Sequence, residues 1–551
     1  MSGINRFEHD IFSKIEISKQ QKMAFYSAIV SGLVAHMYQM TNLLLNNDSV
    51  MSYYKAPDPY SREFLMRSIG SDRWLLSLSE MLIGWFKTPI VAGTMILLMC
   101  AIFSMIFVEL YGIKTIIGSI SCAAIITTYP TIAAYMTLYS VGYMLSSLLV
   151  IAGLYLFYIK KQYFWTIILW YISLAIFPVS IMGILVGYIY ILIKDCLYFE
   201  KIDKDYTYAH LLKFVGIVLL ECVILLLSFK LNIRFNGGVI STYQGEDALA
   251  SSSFLIKLFK NIPAALAKTR LIRLSSMQQL PKLKFTLRIC YIIQLLGSIY
   301  LFFKEKIYKD KAASVVLLIC MGGLPLALSA FTIISESFAY SGQHRMQWVY
   351  VFCGMWIITE LLLDKLLDGS TEFVNGICRK VFMVILVNTI LMIYGFILFD
   401  NILYYSDQYI LQKDSSLMTR VLAQLDSMQE FDYNINPVYF CGLPTEATPD
   451  TTMSPLILEP DLYNIIISDT ESNLWCYGDA SYKSHIYKLE GVVFKDPDNE
   501  FYKDFETGYE AYREIIVSLT KSGEFKIVNY KNSGTYVIFI RTDRSYSYRT
   551  R

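Results

Sequence analysis

Charge is what this sequence is short of. Charged side chains fill 17% of its 551 positions, against roughly a quarter in a soluble chain. Hydrophobic residues fill 55%, and that balance excludes an ordinary water-soluble globule. The formal net charge is only +2, so a global attraction to nucleic acid is not indicated. There is no glycine-rich phosphate loop, and no repeat of about 20–50 residues marks a solenoid. Cysteine occurs 10 times, but never as CxxC or at a metal-ligand spacing. All but two, from Cys100 through Cys378, lie in or beside apolar segments, where a thiol packs as a small hydrophobe. The remaining two, Cys441 and Cys476, could pair if their part of the chain faces an oxidising space. No cleavable signal peptide is expected either. Residues 1–22 are too long and too charged for one, and no small-residue cleavage site follows the first apolar run.

What the sequence does have is apolar runs of about twenty residues, the length that crosses a ~30 Å hydrocarbon layer. Spans are expected near residues 23–45, 89–111, 113–129, 139–158, 163–177, 179–193, 214–231, 285–303, 312–334, 347–367 and 381–399. The expected fold is a polytopic α-helical membrane protein with about eleven spans. Lys14, Lys19 and Lys22 precede the first span. Lys114, Lys160 with Lys161, Lys194 with Lys201, Lys204 and Lys213, Lys304 with Lys306, Lys309 and Lys311, and Arg379 with Lys380 fall in alternate connections. By the positive-inside rule these lie inside, so the N-terminal segment 1–22 is cytoplasmic and the C-terminus is outside. The outer loops are then 46–88, 130–138, 232–284 and 335–346. The third holds a basic amphipathic stretch, Phe254–Leu274, of the kind that lies in the headgroup layer. After Phe399 the chain turns polar. Ser416–Gln429 reads as an amphipathic helix, and Pro437–Gly442, Asn464–Ser468, Lys526–Asn529 and Thr535–Arg541 read as strands. Residues 400–551 are expected to form a small extracytoplasmic α/β domain.

Several side chains could carry chemistry. Asp48, in NNDSV, follows the first span directly. A carboxylate at the lipid–water boundary can take a proton from an attacking hydroxyl, or it can be a solvated acid at a helix end. His36, Gln39, Asn42 and Asn46 share one face of the first span, which must turn toward a cavity or another helix. Arg73, in DRW, can bind an anionic headgroup or snorkel, and Trp74 suits the interface. His344 and Arg345 stand just before a span, where a cation needs a counter-charge: a lipid phosphate, or Glu336 nearby. Glu221, within LLECVILL, is an intramembrane acid, suited to proton coupling or to a neutral hydrogen-bonded role.

NNDSV, DRW, the tyrosine-rich TTYPTIAAYMTLYSVGYM, QHRM and DNILYYSDQY together resemble the bacterial type II, serotype-converting, O-antigen-modifying glucosyltransferase family, of GT-C type. The likeness runs from Met23 to about Gly442. It implies a membrane hexosyltransferase that moves a sugar, glucose first among candidates, from a polyprenyl-phosphate carrier to a cell-surface glycan. It implies one inverting displacement with Asp48 as catalytic base, and donor phosphate binding by Arg345, Arg73 and His344. His36, Gln39, Asn47, Trp74, Tyr129, Tyr143 and Glu336 are then candidates for the substrate cavity. GT-C enzymes often carry two close acids in the first outer loop. Here Asp48 stands apart from Asp58, Glu63 and Asp72, which leaves the choice of base among them open. No cofactor is expected and a metal is not required. The expected partners are the lipid-linked donor, the glycan acceptor and membrane lipid, with no nucleic acid, in the cytoplasmic membrane. A lipid-linked-glycan transporter or flippase is the competing class, and a polysaccharide polymerase or ligase the competing enzyme.

Overall fold

The computed structural model describes residues 17–44, 73–81, 88–198, 204–235, 260–266, 281–334, 342–367, 372–432, 435–436, 438–441, 525–530 and 534–540. Contacts divide these residues into two units, one ending at Asn42 and resuming through Asn401, the other holding Leu43, Leu44 and the residues from Ile402 on.

The first unit is helical: α1 (Lys19–Thr41), α2 (Trp74–Met81), α3 (Pro89–Tyr111), α4 (Ile116–Thr128), α5 (Pro130–Thr137), α6 (Val141–Tyr155), α7 (Tyr163–Ile176), α8 (Ile181–Tyr198), α9 (Lys204–Phe235), α10 (Pro281–Lys304), α11 (Lys311–Leu328), α12 (Ala330–Ile334), α13 (Trp348–Leu367) and α14 (Glu372–Asp426) up to Asn401. Among the described residues, 7 helices are long and apolar enough to cross a membrane, and an eighth if the bent pair α4–α5 counts as one span. The protein is a polytopic helical membrane protein. The other three expected spans are helices at the expected places. α1 is diluted by His36 and Gln39, α7 is only 14 residues long, and α13 carries Glu360, Asp364 and Lys365. Large apolar side chains such as Val30, Leu219, Leu296 and Val384 are exposed, as lipid-facing positions require.

Local chemistry sets the helix ends. Ser18 accepts from the Gln21 amide while Gln21 reaches back to the Ser18 amide, a reciprocal cap that starts α1. Gly112, at φ 68°, ends α3 in the left-handed region where glycine costs least. Asp310 caps α11. The α4 start is capped from another helix. Glu360 of α13 accepts from the Thr115 amide at 3.1 Å, from the Thr115 hydroxyl and from the Lys114 amide at 3.4 Å. Lys114 Nζ meets both Asp364 oxygens at 3.0 Å. Gln21 donates to Glu109 there too, at 2.7 Å. This is the lysine-rich end of the bundle. α6 and α7 close on one another through the Trp170 indole, which donates to the Val150 carbonyl at 3.2 Å beside Gly153. The Ser146 hydroxyl adds contacts with the Ser173 and Ser180 hydroxyls.

Two sequence expectations change. The expected outer loop 130–138 is the helix α5, every residue of it buried, bent 42° from α4 at Tyr129–Pro130. Proline holds the preceding residue extended and then starts a new helix, so a break in the run reads as a loop. The expected ninth span ends at Leu328, and Ser329 separates it from α12. α14 runs without interruption from Glu372 to Asp426, across the expected border at Phe399, and the contact division at Asn401 falls within it. Of the stretch Phe254–Leu274, residues 260–266 are described, and they are helical. The face turned inward is Asn261 and Ala265, bonded to Ile333 O and Ser329, while Leu266 is exposed.

The second unit takes α14 from Ile402 onward and a three-stranded sheet, β1 (Val438–Cys441), β2 (Phe525–Tyr530) and β3 (Thr535–Ile540), in the order β1-β3-β2. β1 runs parallel to β3, and β2 runs antiparallel. Gly534, at φ 78°, sits just before β3, and its amide bonds Asn529. Val421 and Leu425 of the expected amphipathic helix are buried, as are Ile527, Val537 and Ile538. The expected strand Asn464–Ser468 lies outside the described residues.

Candidate functional site

The site grows from Phe177, the residue at which α7 stops. Proline follows it, so the chain leaves the helix and restarts as Pro178–Ser180 leading into α8. The exit leaves the Phe177 ring at the end of the bundle opposite the lysine-rich one, in a core cluster with Ile176, Val179, Met182 and Phe331. Leu75 and Leu76 of α2 pack on that cluster, which explains why the short WLLSLSEM segment is helical and amphipathic.

Three candidate residues from separate parts of the chain meet at this ring. The His344 imidazole stacks on it at 5.6 Å with 20° between planes. The Arg73 guanidinium carbon is 5.8 Å from its centroid. Tyr143 lies 4.4 Å away, and Tyr135 continues the row at 5.7 Å from Tyr143. A cation over an aromatic face is held by the ring quadrupole. Arg345 follows His344 and is half-buried. Trp74 packs 6.5 Å from Tyr171. Beside the ring is a cavity of about 20 Å³, lined in part by Tyr135, Ser147, Ser180, His344 and Gln347. Its enclosed part has room for about one water.

The polar face of α1 lies elsewhere at the same end. Its residues face helices. His36 Nε2 donates to the Thr127 carbonyl at 2.8 Å, and Gln39 donates to the Tyr139 hydroxyl at 3.1 Å. Asn42 Nδ2 turns back to the Tyr38 carbonyl at 2.7 Å. Tyr129, at the α4–α5 corner, packs between Phe352 and Phe396 at 5.5 and 5.6 Å. α5 links the two groups. Tyr135 donates to the Gln343 carbonyl at 3.3 Å, while Met136 O and Tyr139 receive Gln39.

Of the expected site residues, the structure therefore gathers Arg73, His344 and Tyr143, with Arg345 adjoining, and sets His36, Gln39 and Tyr129 in a second group. Asp48, Asn47, Asn46 and Glu336 lie outside the described residues. Glu221 is buried in α9, and neither of its carboxylate oxygens has a hydrogen bond among the described residues. The sequence reading missed Phe177, and it missed Asp400, which lies 4.0 Å from His36. An acid inside FILFDNIL is the signal that should have marked Asp400. Ending the last span at Phe399 placed it in the next domain instead. Among the described residues, no three His, Cys, Asp or Glu side chains are grouped to hold a metal.

No curated protein and no solved structure matches the chain. A family model does: the one described as Glucosyl transferase GtrII matches residues 37–359. That span takes in α2 through α8, Phe177 and the His344–Arg345 pair, and it agrees with the family resemblance carried by NNDSV, DRW and QHRM. The chain belongs to the GtrII glucosyl transferase family.

Proposed function

We propose that this membrane glycosyltransferase takes its sugar, glucose, from a polyprenyl-phosphate carrier and transfers it to a cell-surface glycan at the outer face of the cytoplasmic membrane, in the GT-C manner. On this reading the N-terminus is inside and the C-terminus outside, as the alternating lysines favour. Family membership supports a glucosyl transferase. The observation that carries the donor class is the meeting of Arg73 and His344 on Phe177, with Arg345 next in sequence. A concentration of cationic donors at one end of a membrane bundle suits a lipid phosphate.

In the reaction, an acceptor hydroxyl oxygen attacks the anomeric carbon. The bond from that carbon to the phosphate oxygen breaks, and its electron pair leaves with the polyprenyl phosphate. Asp48 takes the hydroxyl proton. Arg345, with Arg73 and His344, stabilises the negative charge growing on the phosphate. A single displacement inverts the anomeric centre. A polyprenyl phosphate is already a competent leaving group, so no nucleotide loop is needed.

The test is sugar transfer in proteoliposomes from defined polyprenyl-phosphate donors, comparing the native protein with Asp48→Asn. The variant keeps size but cannot accept a proton, so transfer should fall by about 10²–10⁴ while donor binding persists. Wild-type rates in Asp48→Asn would remove it as base. Movement of lipid-linked sugar without a new glycosidic bond would make the protein a transporter.

A further inference from the structure

The turn between α10 and α11 gathers lysines on a rigid frame. Lys304, Lys306, Lys309 and Lys311 are all exposed. The two acids of the same stretch turn inward. Glu305 Oε2 lies 3.8 Å from Lys365 Nζ. Lys365 follows Asp364, the partner of Lys114, so the turn belongs to the lysine-rich end of the bundle. The Asp310 carboxylate is buried and accepts from the Ala312 and Ala313 amides at 2.9 and 3.3 Å. Lys304 lies over the Tyr300 ring at 5.8 Å. Among the described residues, no carboxylate is within ion-pair distance of Lys306, Lys309 or Lys311.

The frame is fixed from within. Ile307 is fully buried, and its carbonyl accepts from the Asp310 amide at 2.9 Å and from the Ser314 hydroxyl at 3.0 Å. Lys306 takes φ 55° and ψ 34°, the left-handed region that glycine or asparagine enters at less cost. Phe303 and Tyr308 flank the lysines at 62% and 49% exposed, and Val315 and Leu318 of α11 are exposed as well. Topology alone does not call for this arrangement. Charge bias is a sum over connections and is served as well by lysines on any loop. A fixed cluster of ammonium groups beside exposed aromatic and aliphatic side chains matches the two parts of an anionic lipid, its phosphate and its acyl chains. We propose that the α10–α11 turn binds the headgroup of an anionic phospholipid in the leaflet at the lysine-rich end, with Lys306, Lys309 and Lys311 donating to the phosphate and Phe303 and Tyr308 against the chains. The rigid turn spares the entropy of ordering a loop on binding. The site lies at the opposite end from Arg73 and His344 and does not depend on the transferase reading.

The test titrates the full-length protein in detergent with phosphatidylglycerol, with zwitterionic phosphatidylcholine and with inorganic phosphate, and reads bound lipid by native mass spectrometry. Wild type should hold phosphatidylglycerol in preference to phosphatidylcholine, and less so as salt is raised. Lys306→Asn/Lys309→Gln/Lys311→Gln should lower the phosphatidylglycerol affinity about a hundredfold, on a scale of about fivefold per lysine, and leave phosphatidylcholine binding unchanged. Lys22→Gln/Lys160→Gln/Lys213→Gln removes as much charge from other exposed lysines and should keep the wild-type affinity. Asparagine suits the left-handed backbone at position 306. Lys306→Asn alone, with an expected loss of about fivefold, therefore decides should the triple variant not fold. Undiminished preference in the variants at Lys306, an equal loss in the Lys22, Lys160 and Lys213 variant, or displacement of the lipid by millimolar phosphate would overturn the proposal.

Discussion

Single residues at the Phe177 ring and next to it in sequence divide by the kind of charge they bring. Arg73 and Arg345 offer a planar fork of donors, whereas a lysine offers a point charge. Arg345→Ala should lower kcat/KM for the lipid-phosphate donor about tenfold or more, the scale of a charge-assisted hydrogen bond of ~1.5–3 kcal/mol. Arg345→Lys should recover only part of that. Steady-state kinetics with donor varied would check it, and full activity in Arg345→Ala would take the residue out of the mechanism. Phe177 is harder to read from sequence, because one phenylalanine among 33 carries no mark of its own. Its place in the candidate site comes from the stop at Pro178 and from which side chains arrive at it.

Helices are held in the bundle through their ends as much as their faces. α4 begins under the Glu360 carboxylate, three acceptor contacts made by a residue of α13. Glu360→Ala would strand the Thr115 amide and hydroxyl. The expected cost is about 1–3 kcal/mol, read as a lower melting temperature in detergent. Gly118 is part of the same joint, because a Cβ there would meet Glu360 Oε1 at 2.6 Å. Gly118→Val should therefore lower stability in the same assay, and an unchanged melting temperature would show that α4 starts without this cap. The pattern of apolar runs placed most helices correctly. It could not see that the break at Tyr129–Pro130 is followed by the buried helix α5, because a proline ends a hydropathy run whatever comes next.

For the whole molecule, the alternating lysines make a topology prediction. The native cysteines, Cys441 and Cys476 of the expected outer domain among them, are first replaced by serine, so that the introduced thiol is the one that reacts. Cysteines introduced at Ser49, Ser253 and Ser472 should react with an impermeant reagent from outside. Those at Ser13 and Lys309 should react only after permeabilisation. Protection of the Ser472 site in intact cells would reverse the proposed orientation. Charge bias can make this prediction because it is a sum over many connections and needs no tertiary contact.

The sequence by itself determined the class of the molecule and its family. Runs of about twenty apolar residues have few other ways to satisfy their backbone in lipid than as helices, and short motifs kept their order along the chain. Strands β1–β3 were legible as well, since β-branched and aromatic residues bounded by turn residues have a local signature. Tertiary structure alone decided which polar residues meet. Arg73, Phe177 and His344 come from three distant segments, and Asp400 is 364 positions from its partner His36. Periodicity gives the face of a helix but not its neighbour, and only the packed helices show that His36 meets the Thr127 carbonyl and Gln39 the Tyr139 hydroxyl.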